Sequence, residues 1–213
     1  MTFAEKIAQL LLDKEAVRIS VDPPFTWTSG IKSPIYCDNR LLISYPEARH
    51  EIIEGFKSVI QENNLEFDVL GGTATAAIPW AAFLAHELDM PMVYIRPKPK
   101  EHGAGKQVEG TMKKGAKVLI VEDLFSTGGS SIRSAQACEQ EYDAKVVAAL
   151  GIFSYQMKAA KEGFSEAKLP YYALSDFPTL VQALEISEDQ KTLISQFSED
   201  PAGWWEKFEG QQS

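Results

Sequence analysis

The sequence predicts an α/β protein: a central, mostly parallel β-sheet flanked by helices, with a small N-terminal hood. Three observations carry this reading. Apolar runs such as Val118 to Val121 and Val146 to Leu150 lack polar alternation, as befits strands covered on both faces. Helical patterns fall between those runs, the alternation that builds a parallel sheet with helices packed on it. At 213 residues, 45% hydrophobic and 24% charged, the chain can bury a sizeable core and is too apolar to stay disordered. With no internal repeat, low-complexity tract or Pro/Gly/Ser-rich linker, residues 1–213 are expected to form a single domain. The hood is placed mainly at 1–45 plus part of the C-terminal tail, and the core at about 46–175.

Residues 2 to about 15 read as an amphipathic helix. Glu5, Lys6 and Asp13 among its apolar residues argue against a signal peptide, and no apolar run is long enough to span a bilayer. RIS, FTWTSG and SPIYCDNR then read as short strands separated by turns. Pro46 suits a first helical position, and Ile52, Ile53, Phe56, Val59 and Ile60 share one face of the helix it opens. FDVLGG is a strand ending in glycines, AAIPWAAFLAHELD a helix with Pro79 in its first turns, and PMVYIR the next strand. KVLIVED, the helix SSIRSAQACEQE and the strand AKVVAALGIFS complete the alternation. Trp204 and Trp205 read as an apolar anchor for the tail.

Between PMVYIR and KVLIVED lies PKPKEHGAGKQVEGTMKKG, residues 97–115, too long for an ordinary connection and too polar to pack. Lys98, Lys100, His102 and Lys106 make it locally cationic, while Gly103, Gly105 and Gly110 give it freedom. It suits a solvated surface excursion, and equally a lid that closes on an anion.

The formal net charge of -9 argues against a nucleic-acid partner. The two cysteines, Cys37 and Cys138, lack metal-ligand spacing and fit reduced thiols in the cytoplasm. His50 and His86 fall in helical patterns and read as surface histidines.

The densest chemistry lies in VLIVEDLFSTGGSS. Ligands of open parallel sheets bind beyond the carboxyl ends of the strands, where Glu122 and Asp123 are expected. Ser126, Thr127, Gly128, Gly129 and Ser130 follow, a small-residue turn whose N–H and hydroxyl groups suit a phosphate at a helix N-terminus. Acids repel phosphate, so their pairing with such a turn implies a ligand carrying both hydroxyls and phosphate, such as a ribose 5-phosphate. No Gly-Lys-Ser/Thr follows the glycines and no GxGxxG is present, which separates the motif from mononucleotide and dinucleotide loops. The plainer alternative is a helix start capped by Ser126 or Thr127, with the acids in ion pairs.

VLIVEDLFSTGGS resembles the phosphoribosyl diphosphate (PRPP) signature of type I phosphoribosyltransferases. FTWTSGIKSPIYCDNR, GGTATAAIPWAA and YIRPKPKEHGAGKQVEG resemble, in the same order, segments of the orotate phosphoribosyltransferases; the similarity spans roughly residues 20–155. The resemblance implies the type I phosphoribosyltransferase fold and transfer of a phosphoribosyl group from PRPP to N1 of orotate. It implies a PRPP site from Glu122, Asp123, Leu124, Phe125, Ser126, Thr127, Gly128, Gly129 and Ser130, with Arg96, Lys100 and His102 on the pyrophosphate. Lys100, His102 and Asp123 would be catalytic. Ser126, Tyr36 and Cys37 would face orotate. Mg²⁺ would be held through PRPP and water, without a dedicated ligand cluster. A homodimer is implied in which the catalytic loop reaches the neighbouring active site, with neither nucleic acid nor membrane as a partner. Thr28, Ala76, Pro97 and Ser154 depart from residues found in some members, three lysines and an arginine, leaving the partner of the orotate carboxylate open; Lys32 and Lys98 are offset cations nearby. Transfer to another base, a PRPP-sensing regulator and an inactive relative are the competing readings.

Overall fold

The computed structural model describes residues 1–27, 30–99 and 105–212, with the side chains of 209–212 excepted. Its centre is a six-stranded sheet. In chain order the first four strands, β1 (Val17–Ile19), β2 (Phe25–Thr26), β3 (Lys32–Ser33) and β4 (Ile35–Cys37), lie outside that sheet. The sheet itself comprises β5 (Val69–Thr73), β6 (Met92–Ile95), β7 (Val108–Glu109), β8 (Lys117–Phe125), β9 (Lys145–Ser154) and β10 (Tyr171–Asp176). Their order is β10-β9-β8-β5-β6-β7, parallel throughout except for β7, which runs antiparallel to β6. β5 is followed on one side by β6 and bordered on the other by β8, so the connection direction reverses between β5 and β8. Such a switch point opens a crevice at the carboxyl ends of the strands.

The helices follow from sequence in the expected places. α1 (Phe3–Asp13) is opened by a capping box between Thr2 and Glu5. α2 (Pro46–Glu62) has its proline in the first turn and buries Ile52, Ile53 and Phe56, with Val59 and Ile60 packed partly against the same core. α3 (Ile78–Leu88) lies close against β5: a Cβ on Gly72 would stand 2.9 Å from that of Ala81, which explains why FDVLGG ends without side chains. α4 (Gly129–Tyr142) follows β8, and α5 (Lys158–Glu166) joins β9 to β10. His50 and His86 are exposed on α2 and α3, as anticipated.

Three features depart from expectation. β8 runs on through Leu124 and Phe125, so the two acids lie within a strand instead of closing it. The long connection is not wholly irregular, because its Val108–Glu109 portion pairs with Tyr94 and Ile95. YYALSD forms the edge strand β10, whose half-buried residues and polar Ser175 and Asp176 mute the apolar run that marks a central strand.

Two antiparallel pairs, β1 with β4 and β2 with β3, form the hood. The tail contributes α6 (Phe177–Ala183), α7 (Glu188–Ser195) and α8 (Trp204–Gln212). Trp204 is 1% exposed, donates from Nε1 to the Leu193 carbonyl at 2.8 Å, and stacks on Phe208 at 5.8 Å. Hood and tail meet where Trp27 packs on Phe197 at 5.5 Å and on Tyr155 at 5.1 Å. Among the described residues no helix is long and apolar enough to cross a membrane.

Candidate active site

The pairing of β5 with β8 ends at Gly72 opposite Val121, so Glu122 to Phe125 project past β5 into the crevice. On the other flank β9 stays paired, Glu122 with Gly151 and Leu124 with Phe153. Glu122 is only 4% exposed. Its Oε2 accepts from the Ser130 hydroxyl at 2.8 Å and the Ser131 hydroxyl at 3.1 Å, and its Oε1 from the Asp123 N–H at 3.2 Å. Burial, then the charge of Asp123, push its pKa up to about 8 against the opposing pull of Ser130. Asp123 is half-buried and also raised by burial, with Glu122 and Arg40 pulling the other way. Burial raises both carboxyls, and a proton held by the pair rests chiefly on Glu122, the more deeply buried of the two.

The hydroxyl of Ser130, a residue expected at the phosphate, donates to Glu122. A buried carboxyl needs donors, and the first turn of α4 supplies them. Phe125, also expected at PRPP, turns its ring into the core. Its ring is fully buried against Phe164 at 5.3 Å and Tyr171 at 5.5 Å, and its carbonyl accepts from the Tyr155 N–H. Leu124 is half-buried.

The turn before α4 is built for an anion. Gly128 holds φ 75°, and a Cβ there would fall 2.6 Å from the Phe164 ring. No side chain caps α4, so the alternative of a helix closed by Ser126 or Thr127 does not hold. The N–H groups of a 14-residue helix thus face the crevice without a capping oxygen. Ser126 is half-buried, Thr127 exposed and Gly129 half-buried beside them. Nor do the acids form ion pairs of the expected kind: among the described residues no Lys, Arg or His nitrogen lies within salt-bridge distance of either carboxylate.

One cation at this turn escaped the sequence reading. Arg133 is exposed, and its Nη1 lies 3.0 Å from where a Cβ on Gly129 would be. Long side chains on a helix lean towards its N-terminus, which brings an i+4 arginine back over the first turn. The spacing from Gly129 was the available signal, but an arginine in a helical pattern reads as a solvated charge.

The hood supplies the opposite wall. Tyr36 stacks obliquely on Phe25 at 5.7 Å, with the Arg18 guanidinium 5.3 Å from its ring. Cys37 is half-buried and its thiol donates to Asn39 Oδ1 at 3.3 Å; burial, then Asp123, push its pKa well up, so it stays a neutral thiol. Asn39 Nδ2 donates to the Asp123 carbonyl at 2.6 Å. Arg40 grips Asp38 through Nε at 2.6 Å and Nη2 at 2.7 Å, holding that carboxyl below its ordinary range.

At the base of the long connection the Arg96 N–H donates to the Gln107 carbonyl at 3.0 Å, and Arg96 Nη1 lies 3.6 Å from Glu109 Oε1. Glu141, near the end of α4, accepts from the N–H groups of Gln107 at 2.5 Å and Val108 at 3.3 Å. Lys106 sits 4.9 Å from the Tyr142 ring centre. Lys100 and His102, expected to be catalytic, lie outside the described residues, as does Thr28. Ala76 is half-buried before α3, and Pro97 and Lys98 are exposed. Ser154 is fully buried, its hydroxyl accepting from the Gln156 N–H at 3.1 Å. Lys32 donates to the Thr26 hydroxyl at 2.8 Å within the hood.

Comparison with known proteins decides among the readings. Residues 44–165 match the family described as phosphoribosyl transferase domain. An orotate phosphoribosyltransferase of Coxiella burnetii is 47% identical over 208 residues, covering 96% of this chain and 99% of the relative. The chain belongs to the orotate phosphoribosyltransferase family. An Enterococcus faecalis family member is likewise 47% identical, over 94% of this chain and 97% of its own length. The fold agrees too: a crystal structure of orotate phosphoribosyltransferase from Aeropyrum pernix superposes with a TM-score of 0.74 at 28% identity, over 83% of this chain and 96% of that one. The central parallel sheet and flanking helices expected from sequence are thus those of the type I phosphoribosyltransferases.

Proposed function

We propose that the protein is an orotate phosphoribosyltransferase, transferring the 5-phosphoribosyl group of PRPP to N1 of orotate in pyrimidine nucleotide biosynthesis, with orotidine 5′-monophosphate and pyrophosphate as products. The observation that carries this most directly is the uncapped first turn of α4 shortly after an acid pair of which Glu122 is buried. A phosphate binds the turn; ribose hydroxyls bind the acids.

The C1–O bond to pyrophosphate breaks as the N1–C1 bond forms, the bonding pair leaving with the pyrophosphate oxygen and the N1 proton of orotate passing to solvent. Positive charge develops on the ribose, and an Asp123 carboxylate beside it would favour that charge. Protonated Glu122 keeps the neighbouring position from repelling the 5-phosphate. Thr127, Gly128 and Gly129 receive the phosphate through main-chain N–H groups, and Ser126, Tyr36 and Cys37 line the orotate side. Arg96, Lys100 and His102 meet the departing pyrophosphate, and His102 supplies a proton near neutral pH. Closure of the 97–115 segment excludes water that would hydrolyse PRPP.

The donor set suits Mg²⁺: it offers hard carboxylate oxygens, and this ion is usually bound by one or two carboxylates together with substrate phosphates. Asp123, through water, is the residue that would hold it, and the ion supplies charge neutralisation at the pyrophosphate. We extend the reading to a homodimer whose catalytic segment serves the neighbouring site, and to the cytoplasm, which the absence of any disulfide between Cys37 and Cys138 supports.

The reading is tested by following orotate absorbance with PRPP and Mg²⁺. Turnover is expected, and Lys100→Ala should lower kcat by about 10²–10³, as removal of a donor to developing charge does. Retention of orotate with turnover of adenine or xanthine would replace the assignment, and a near-normal kcat for Lys100→Ala would remove that residue from the mechanism.

A further inference from the structure

Asn39 lies in the hood, yet its side chain is 1% exposed and both of its polar ends are used. Nδ2 donates to the main-chain carbonyl of Asp123 at 2.6 Å, and Oδ1 accepts from the Cys37 thiol at 3.3 Å. Among the described residues it makes the hydrogen bond by which the hood grasps the projecting end of β8. The contact spans 84 positions of sequence. It falls on the stretch of β8 that β5 has ceased to pair.

The turn around Asn39 is itself held. The Asp38 N–H donates to the Ala16 carbonyl at 2.7 Å, and Asp38 accepts from both the main chain and the guanidinium of Arg40. The Asn39 side chain is therefore delivered from a braced segment. An amide buried this deeply forfeits its hydration, so each of its bonds must form for the fold to tolerate it. A carboxylate in its place would set an acceptor against the Asp123 carbonyl, and an aliphatic residue would leave that carbonyl without its partner.

We infer that Asn39 is a positioning residue which fixes the base-side wall, carried by Tyr36 and Cys37, at a set distance from the sugar-side acid Asp123. The inference rests on the transfer reaction above. Displacement at C1 requires the attacking nitrogen about 3–3.5 Å from carbon and in line with the leaving oxygen. In this fold the two reactants rest on different parts of the chain, the hood and the sheet. Asn39 joins those parts at the residue next to the reaction.

The role predicts a distinctive defect. Asn39→Ala and the near-isosteric Asn39→Asp should each lower kcat by about 10-fold to 10²-fold, as small misplacements of reactants do, with KM for PRPP and orotate changing less than about threefold. A larger share of the PRPP consumed should appear as ribose 5-phosphate, because a misplaced base loses to water. Asn39→Gln, which keeps the amide donor on a longer arm, should recover part of the transfer that Asn39→Asp does not. Melting temperature and circular dichroism, measured on each variant, report the folded fraction, and rates are taken per folded enzyme.

An unchanged ratio of transfer to hydrolysis, or a kcat per folded enzyme within twofold of the parent, would overturn the inference. These outcomes stand apart from failure of the functional reading itself, which would show as absence of orotate turnover in the unsubstituted protein.

Discussion

Glu122 carries the most testable chemistry at the scale of a single residue. Its folded-state pKa of about 8 stands above the ordinary 4.5, so the folded chain binds this proton more tightly than the unfolded chain. Stability from this group is therefore complete at acid pH and declines as pH rises from 4.5 through about 8, flattening beyond. The groups that face it are Asp123, Ser130 and Ser131. Glu122→Gln can still accept from both serines and cannot ionise. Its melting temperature should exceed that of the parent from neutral pH upward, by about 2–4 °C for each kcal/mol regained, and the gap should close towards pH 4.5. Scanning calorimetry across pH checks this, and a gap independent of pH would refute the shift. The acid pair itself was legible in sequence because two carboxylates at the end of an apolar run are costly without a task. Which hydroxyls satisfy them was not legible: Ser126 in the turn and Ser130 and Ser131 in the first turn of α4 are all close in sequence, and only packing decides which reach Glu122.

Helix α4 is the element on which the site turns. Its first turn is the proposed phosphate site, its Ser130 and Ser131 hydroxyls hold Glu122, and Ser134 contacts the Thr73 hydroxyl of β5 at 3.1 Å. Its far end, through Glu141, holds the returning leg of the 97–115 segment. One helix thus ties the turn after β8 to the base of the 97–115 segment. Arg133 adds a fixed positive charge over the first turn. Arg133→Ala should raise KM for PRPP by about tenfold, the loss of roughly one charge-assisted hydrogen bond, with little change in kcat or in KM for orotate. Steady-state kinetics at low and high salt will show the effect shrinking as salt screens the charge; an unaltered KM at low salt would remove Arg133 from the site. The helix was plain from its apolar spacing and the glycines before it. Its lack of a side-chain cap was hidden, because Ser126 and Thr127 are among the residues that most often provide one.

At the scale of the whole molecule, hood, sheet and tail are joined through aromatic packing around Trp27, Phe197 and Trp204 and through Asn39. If each active site also draws its Lys100 from a second subunit, two inactive variants will complement each other. Mixing Lys100→Ala with Asp123→Asn after subunit exchange should restore about a quarter of parental activity: half of randomly re-formed dimers are mixed, and one of their two sites is intact. Activity no greater than the sum of the separate variants would show that the loop serves its own subunit.

By itself the sequence determined the alternating strands and helices, the acid pair, the small-residue turn and the family these motifs belong to. All of these reside in contiguous stretches whose spacing is written along the chain. The tertiary structure alone decided that Glu122 is buried under Ser130 and Ser131, that Arg133 folds over Gly129, and that Asn39 reaches Asp123. Those contacts depend on which face of a helix or turn meets which strand end, a matter of packing between distant segments that local pattern does not encode.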